Sequence, residues 1–217
     1  MERWLLERFP KARWETPTEG LGVLRHHVRL PGAGGPLPPG HLFLDLETLG
    51  FVGRPLFLVG MLIPSEGREA DLVQLLARDY GGEEEALRLF ATDYAPAPTW
   101  VTFNGKSFDV PCLRLRYAFY RMPKPAPREH LDLLHVARRQ FRGVFPDCRL
   151  QTLERRVCGR WRAGDLGGRE VPDAYHRWVR DGDPYWLEPI LRHNRDDLIT
   201  LAELYLALAL PEEEEQP

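Results

Sequence analysis

The segment LFLDLET, residues 42–48, puts two carboxylates inside a run that otherwise reads as a buried strand. Asp45 and Glu47 lie at i and i+2, so an extended backbone points both to one face. Like charges about 7 Å apart on a buried face repel, and burial makes each more costly. A divalent cation relieves that cost, because hard cations take carboxylate oxygens. A strand end whose acids face water would show the same pair, so D-x-E alone decides little.

Two further segments supply acids of the same kind. TWVTFNGKSFD reads as a strand, an Asn-Gly turn and a helix start, with Asp109 in the first turn. That position projects toward the end of a sheet, although acids also favour helix starts through the dipole alone. HNRDDLITLAELYLAL carries His193 and Asp197 at i and i+4, on one helical face. The face continues through Thr200, Leu201, Leu204 and Leu208, the side chains that a sheet would bury. Asp196 points about 100° away and reads as solvent-facing. His193 taken alone is as well explained by a hydrogen-bonded core or surface histidine.

The elements that must position these residues can be read in outline. Residues 1–9 form a short amphipathic helix ending at Pro10, and 22–30 alternate weakly as a strand. Residues 31–40, with four Gly and four Pro, mark an irregular loop. Strands follow at 41–46, 55–63 and 70–76, joined closely enough for an antiparallel meander. A helix is expected at 83–90, a strand at 99–103, and a helix capped by Ser107 running to about Tyr120. A short strand at 130–134 leads into an Arg-rich helix, 164–172 is a loop, and 184–210 contains a long final helix. This order predicts an α/β fold with a mixed sheet flanked by helices.

The division expected is an N-terminal extension (1–40), a main domain (41–210) and an acidic tail (211–217). With 217 residues, 43% apolar and 28% charged, the chain can bury a sizeable core. It has no apolar run of about 18 residues, so no membrane span is expected. The start, MERWLLERFPKARWE, mixes charge into its apolar stretch and does not read as a secretory signal. Three cysteines, Cys112, Cys148 and Cys158, without CxxC spacing argue against a zinc knuckle or a disulfide framework, and predict inert thiols in a reduced, cytoplasmic setting.

A net charge of −3 excludes binding to nucleic acid by bulk charge alone. The distribution is less uniform: residues 138–162 hold eight arginines against two acids. Phe141, Phe145 and Trp161 are interleaved among them, a pattern able to track a single strand by charge and stacking, or to supply core aromatics.

Taken together, Asp45-x-Glu47, Asn104-xxx-Phe108-Asp109 and His193-xxx-Asp197 resemble the three exonuclease motifs of the DEDD superfamily, in the ribonuclease H-like fold. More narrowly, the chain resembles the bacterial YprB-type ribonuclease H-like domain family through FLDLET, TFNGKSFDVP, HLDLLHVARR, CRLQTLERRVCG, GGREVPDAY and LRHNRDDLITLA. The resemblance spans about residues 41–210. It implies a five-stranded mixed sheet and a metal-dependent 3′→5′ exonuclease acting on DNA or RNA, with a single strand or a 3′ end as the partner. By matching positions, Asp45, Glu47, Asp109 and Asp197 would hold two Mg²⁺ or Mn²⁺ ions, and His193 would be the general base. Thr48 and Leu49 would touch the terminal nucleotide, Asn104 and Lys106 a phosphate, and Asp132 would support the site or cap a helix. One feature departs from the family: histidine stands at the spacing that the superfamily gives to tyrosine, Y-xxx-D rather than H-xxxx-D. Two other readings stay open, a nucleic-acid-binding module with weak or no catalysis and a structure-specific endonuclease. Oligomeric state is not read from the sequence.

Overall fold

The structure, a computed structural model, describes residues 1–32, 35–162 and 164–208. The expected acidic tail lies outside the described residues. The elements run α1 (Glu2–Arg8), β1 (Arg13–Glu15), β2 (Leu21–Arg29), β3 (His41–Thr48), β4 (Leu56–Pro64), β5 (Glu69–Ala77), α2 (Glu83–Leu89), β6 (Thr99–Thr102), α3 (Asp109–Phe119), β7 (Glu129–Asp132), α4 (Leu133–Phe141), α5 (Leu150–Arg156), α6 (Val171–Asp181) and α7 (Leu187–Ala207). One π-helical turn, Phe90–Tyr94, extends α2.

The sheet is mixed, in the order β1-β2-β5-β4-β3-β6-β7. The meander β3–β4–β5 is antiparallel, whereas β3, β6 and β7 run parallel. Seven strands replace the expected five. The extra two come from residues 13–29: β2 pairs with β5 along its whole length, from Leu21 opposite Ala77 to Arg29 opposite Glu69. A strand's edge partner is a long-range choice, which a local hydrophobic pattern does not report.

Both sheet faces are covered. Leu42, Leu44 and Leu46 of β3 face Leu87 of α2 and Leu113 and Tyr117 of α3. Phe43, from the alternate face, packs with Leu133 of α4 and with Leu198 and Leu201 of α7. The period of two therefore turns Asp45 and Glu47 toward the α7 side. The loop after β6 carries the chain past the parallel strand ends and into α3, where Asp109 is the first helical residue. Carboxyl ends of parallel strands are where open α/β sheets place their sites.

Three local expectations are corrected. Ser107 is exposed and caps nothing; α3 starts at Asp109 with no side-chain cap. The Arg-rich stretch is broken into α4 and α5, because Gly143 takes a left-handed φ of 81° and Pro146 follows. The expected loop at 164–172 runs into α6, whose first turn accepts Pro172 because its missing N–H would be unpaired there anyway. Among the described residues no helix is long and apolar enough to cross a membrane.

Candidate active site

Four carboxylates reach one cleft from three separate elements: Asp45 and Glu47 from β3, Asp109 from the start of α3, and Asp197 from α7. Burial shifts all of them. Asp45 is pushed well above the carboxylate range by burial and then by Glu47, Asp197 and Asp109. Burial, with the repulsion of Asp197 and Asp109, pushes Glu47 up to about 8 against the pull of His193. Burial pushes Asp109 up to about 7, although its own backbone N–H and that of Leu46 donate to it. Asp197 is raised by burial against the attraction of His193 and Arg162. The set carries more negative charge than its protein neighbours offset.

His193 stands inside this set. Its Nε2 lies 3.5 Å from Asp197 Oδ2 and 4.0 Å from Glu47 Oε1. Its Nδ1 lies 3.0 Å from Asp165 Oδ1. Burial disfavours the imidazolium, but Asp165, Asp197 and Glu47 together raise His193 to about 10. Asp165 itself is held below the usual carboxylate range: burial opposes ionisation, and His193 and Arg162 outweigh it.

Asn194 fixes Asp45. Fully buried, it donates through Nδ2 to Asp45 Oδ2 at 2.7 Å, while its Oδ1 accepts from Gln74 Nε2 at 2.9 Å. Asp45, Gly60 and Gln74 sit opposite one another on β3, β4 and β5. Asn194 crosses over Gly60, where an added Cβ would lie 2.0 Å from Asn194 Oδ1. A glycine in the middle of a buried strand often marks such a close approach, and LVGML carries that signal.

Asp132 clamps the loop before α3. Its Oδ1 accepts from the Asn104 N–H at 2.8 Å and its Oδ2 from the Lys106 N–H at 3.0 Å, while Oδ1 also caps α4 at Leu134. The helix-cap role is thus met, and the same carboxylate also holds the loop. Asn104 takes a left-handed φ of 65° in that turn, and its side chain lines a cavity of about 510 Å³ with Asp45, Asp197, Arg138 and Arg149. Lys106 is exposed. Thr48 is buried, its hydroxyl donating to the Gly50 carbonyl at 2.6 Å, and Leu49 packs toward the cluster of α1, α6 and α7. These two contacts are internal ones.

Arg162, which the sequence marks only as the end of the Arg-rich stretch, and Asp165, which it does not single out, come from the irregular segment before α6. Arg162 donates to Asp197 Oδ1 at 2.6 Å, to Glu154 at 2.8 Å, to Asp165 Oδ2 at 3.3 Å and to Thr200 Oγ1 at 3.0 Å. Nothing periodic marks this segment, so its sequence carries no signal of a buried charge.

The donor set suits hard divalent cations: four carboxylates, each raised by loss of hydration, with Glu47, Asp197 and Asp109 all acting on Asp45. Among the described residues, no three His, Cys, Asp or Glu side chains come together as a finished metal site. Two of the candidate oxygens are held by protein donors instead, Asp197 Oδ1 by Arg162 and Asp45 Oδ2 by Asn194.

Comparison with known proteins follows the same lines. A family model described as RNase_H superfamily matches residues 42–209. The protein YprB of Bacillus subtilis (strain 168), of uncharacterized function, is 34% identical over 111 residues; these make up 50% of this chain and 27% of YprB, so the chain spans little more than a quarter of that relative. Among solved structures, the family B DNA polymerase of the hyperthermophilic archaeon Pyrobaculum calidifontis superimposes with a TM-score of 0.60 at 17% identity, covering 80% of this chain and 24% of the polymerase. At that identity the likeness concerns the fold.

Proposed function

The chain belongs to the RNase H superfamily, and on that footing we propose that it is a metal-dependent 3′→5′ exonuclease hydrolysing phosphodiester bonds of DNA or RNA. The observation that carries the proposal is the convergence of Asp45, Glu47, Asp109 and Asp197 on one cleft with their repulsion left unbalanced. These four would hold two divalent cations, Mg²⁺ or Mn²⁺. When bound, such cations neutralise the phosphate and favour ionisation of the attacking water.

The remaining roles fall to the chain's own groups. Asn194 keeps Asp45 turned into the cleft. Asp132 shapes the loop that presents Asn104 and Lys106 to the phosphate side. His193 Nε2 faces the acids and accepts the proton of the attacking water. Cations on the carboxylates would withdraw the attraction of Asp197 and Glu47, lowering His193 toward the range in which Nε2 is free. Arg138 and Arg149 line the adjoining cavity and suit an anionic strand. A cytoplasmic setting belongs to the same proposal, supported by three unpaired cysteines.

A second reading, a binding module with weak catalysis, is favoured by one observation: Arg162 already occupies Asp197 Oδ1. A time course on end-labelled DNA and RNA, linear and circular, with Mg²⁺, Mn²⁺ or EDTA separates the readings. The proposal expects mononucleotides from linear substrates with either metal, none with EDTA, and an inactive Asp45→Asn protein. Salt-sensitive binding without cleavage would favour the module, and cutting of circles would favour an endonuclease.

A further inference from the structure

We propose that Asp165 is the positioning residue of the general base: it holds His193 Nδ1 and thereby aims Nε2 into the acidic cleft. The inference rests on the exonuclease reading for the role of His193 and on geometry for the role of Asp165. The two ring nitrogens have different partners. Nδ1 is 3.0 Å from Asp165 Oδ1, while Nε2 points to Asp197 and Glu47. A carboxylate at that distance is the acceptor for a proton on Nδ1, which makes Nε2 the ring nitrogen turned to the cleft. In the neutral ring the lone pair is then on Nε2, on the side where a water would be activated.

Asp165 is itself held in place. Its second oxygen, Oδ2, accepts from Arg162 Nη1 at 3.3 Å, and Arg162 is anchored on Glu154 of α5. His193 keeps 8% and Asp165 12% of its side chain exposed, so solvent offers little competition for the bond. The chain Glu154–Arg162–Asp165–His193 thus runs from a buried carboxylate to the cleft through charge-assisted hydrogen bonds, each stronger than a neutral one. Asp165 bonds to His193 and Arg162, and its charge also acts on Glu47 and Asp197.

The test uses the full chain with Asp165→Asn, Asp165→Ala and Asp165→Glu, each checked for an unchanged melting profile. In the metal-free wild type, ¹H–¹⁵N spectra should show a slowly exchanging His193 Nδ1 proton, identified by its absence in His193→Gln. It should vanish in Asp165→Ala and survive in Asp165→Glu. In turnover, Asp165→Asn should lower kcat by about 10- to 100-fold with KM little changed, as for other partners that orient a functional group. Asp165→Glu should regain part of that loss, and Asp165→Asn should add nothing to a His193→Ala protein. A kcat within about twofold of wild type in Asp165→Asn, or an equal loss in the His193→Ala background, would overturn the inference. Should the wild type hydrolyse nothing with either cation, the exonuclease reading fails; the Nδ1 proton then still decides the orientation, its presence supporting the Asp165 bond and its absence refuting it.

Discussion

Replacing Gly60 by alanine should disrupt the cleft from the neighbouring strand, on the same face of the sheet as Asp45. Gly60 has an ordinary backbone conformation, so the effect comes from space alone. The new Cβ would lie 2.0 Å from Asn194 Oδ1, 2.5 Å from Nδ2 and 2.6 Å from Cγ, distances that no relaxed contact allows. Either β4 shifts or Asn194 withdraws. Strain from an added methyl in a packed interior costs about 1–3 kcal/mol. Withdrawal gives up the 2.7 Å bond to Asp45 and the 2.9 Å bond from Gln74, of which the charged one alone contributes about 1.5–3 kcal/mol. By either route the loss should be about 1.5–3 kcal/mol. With an unfolding entropy of about 2.1 cal/mol/K per residue, a chain of this length should melt roughly 3–7 °C lower. Differential scanning calorimetry measures that shift directly. Activity should fall about 10- to 100-fold as well, because Asp45 loses the partner that orients it. Adding Asn194→Gly removes the clash, so the double variant should be less destabilised than the two single losses together, by about 0.5–3 kcal/mol. A Gly60→Ala protein melting within about 2 °C of wild type, with undiminished turnover, would refute the locked arrangement of Asn194 over β4.

Other perturbations follow from the same geometry. Asp45→Asn should reduce hydrolysis by more than the roughly 100-fold typical of losing an orienting partner, read as initial rate with Mn²⁺. His193→Ala should lower kcat by about 10²–10⁴, with oligonucleotide affinity nearly unchanged in a filter-binding assay. Arg116→Ala leaves Glu83 buried without the guanidinium 2.6 Å away and should cost about 3–5 kcal/mol in urea unfolding. Replacing both partners by apolar residues of similar volume should recover most of that loss. For pH, the raised values of Glu47 (about 8), Asp109 (about 7) and His193 (about 10) mean that the folded chain binds more protons than the unfolded one. Metal-free stability should therefore fall as pH rises through these values, a slope that Mg²⁺ or Mn²⁺ should flatten. On the acid side, burial lowers His26 to about 4, so its own contribution falls as pH drops from about 6.5 toward 4, against the larger gain from Glu47 and Asp109 over the same range. Urea midpoints across pH in EDTA and in metal would contradict this if the EDTA series were flat or rising above neutrality.

Residues whose patterns are local were legible in the sequence. Charges at a period of two inside an apolar strand single out Asp45 and Glu47, and a period of 3.6 puts His193 and Asp197 on the buried face of α7. The meander and the helices after it follow from hydrophobic periodicity in the same way. What no window of sequence reports is which distant backbone or side chain completes each of these groups. The partner of β2 is β5, more than forty residues further on, and that pairing turns the expected five strands into seven. Ser107 looked like the helix cap, yet the turn is closed by Asp132, whose carboxylate reaches back to the Asn104 and Lys106 N–H groups. Gly60 stands mid-strand, and only the packed structure shows that Asn194 fills the space a side chain would take. Asp165 and Arg162 sit in an irregular segment where no periodicity marks a buried charge. Periodicity records which side of an element is dry; the hydrogen-bond partners of a buried charge are set by where other elements come to rest, and that is decided only when the chain packs.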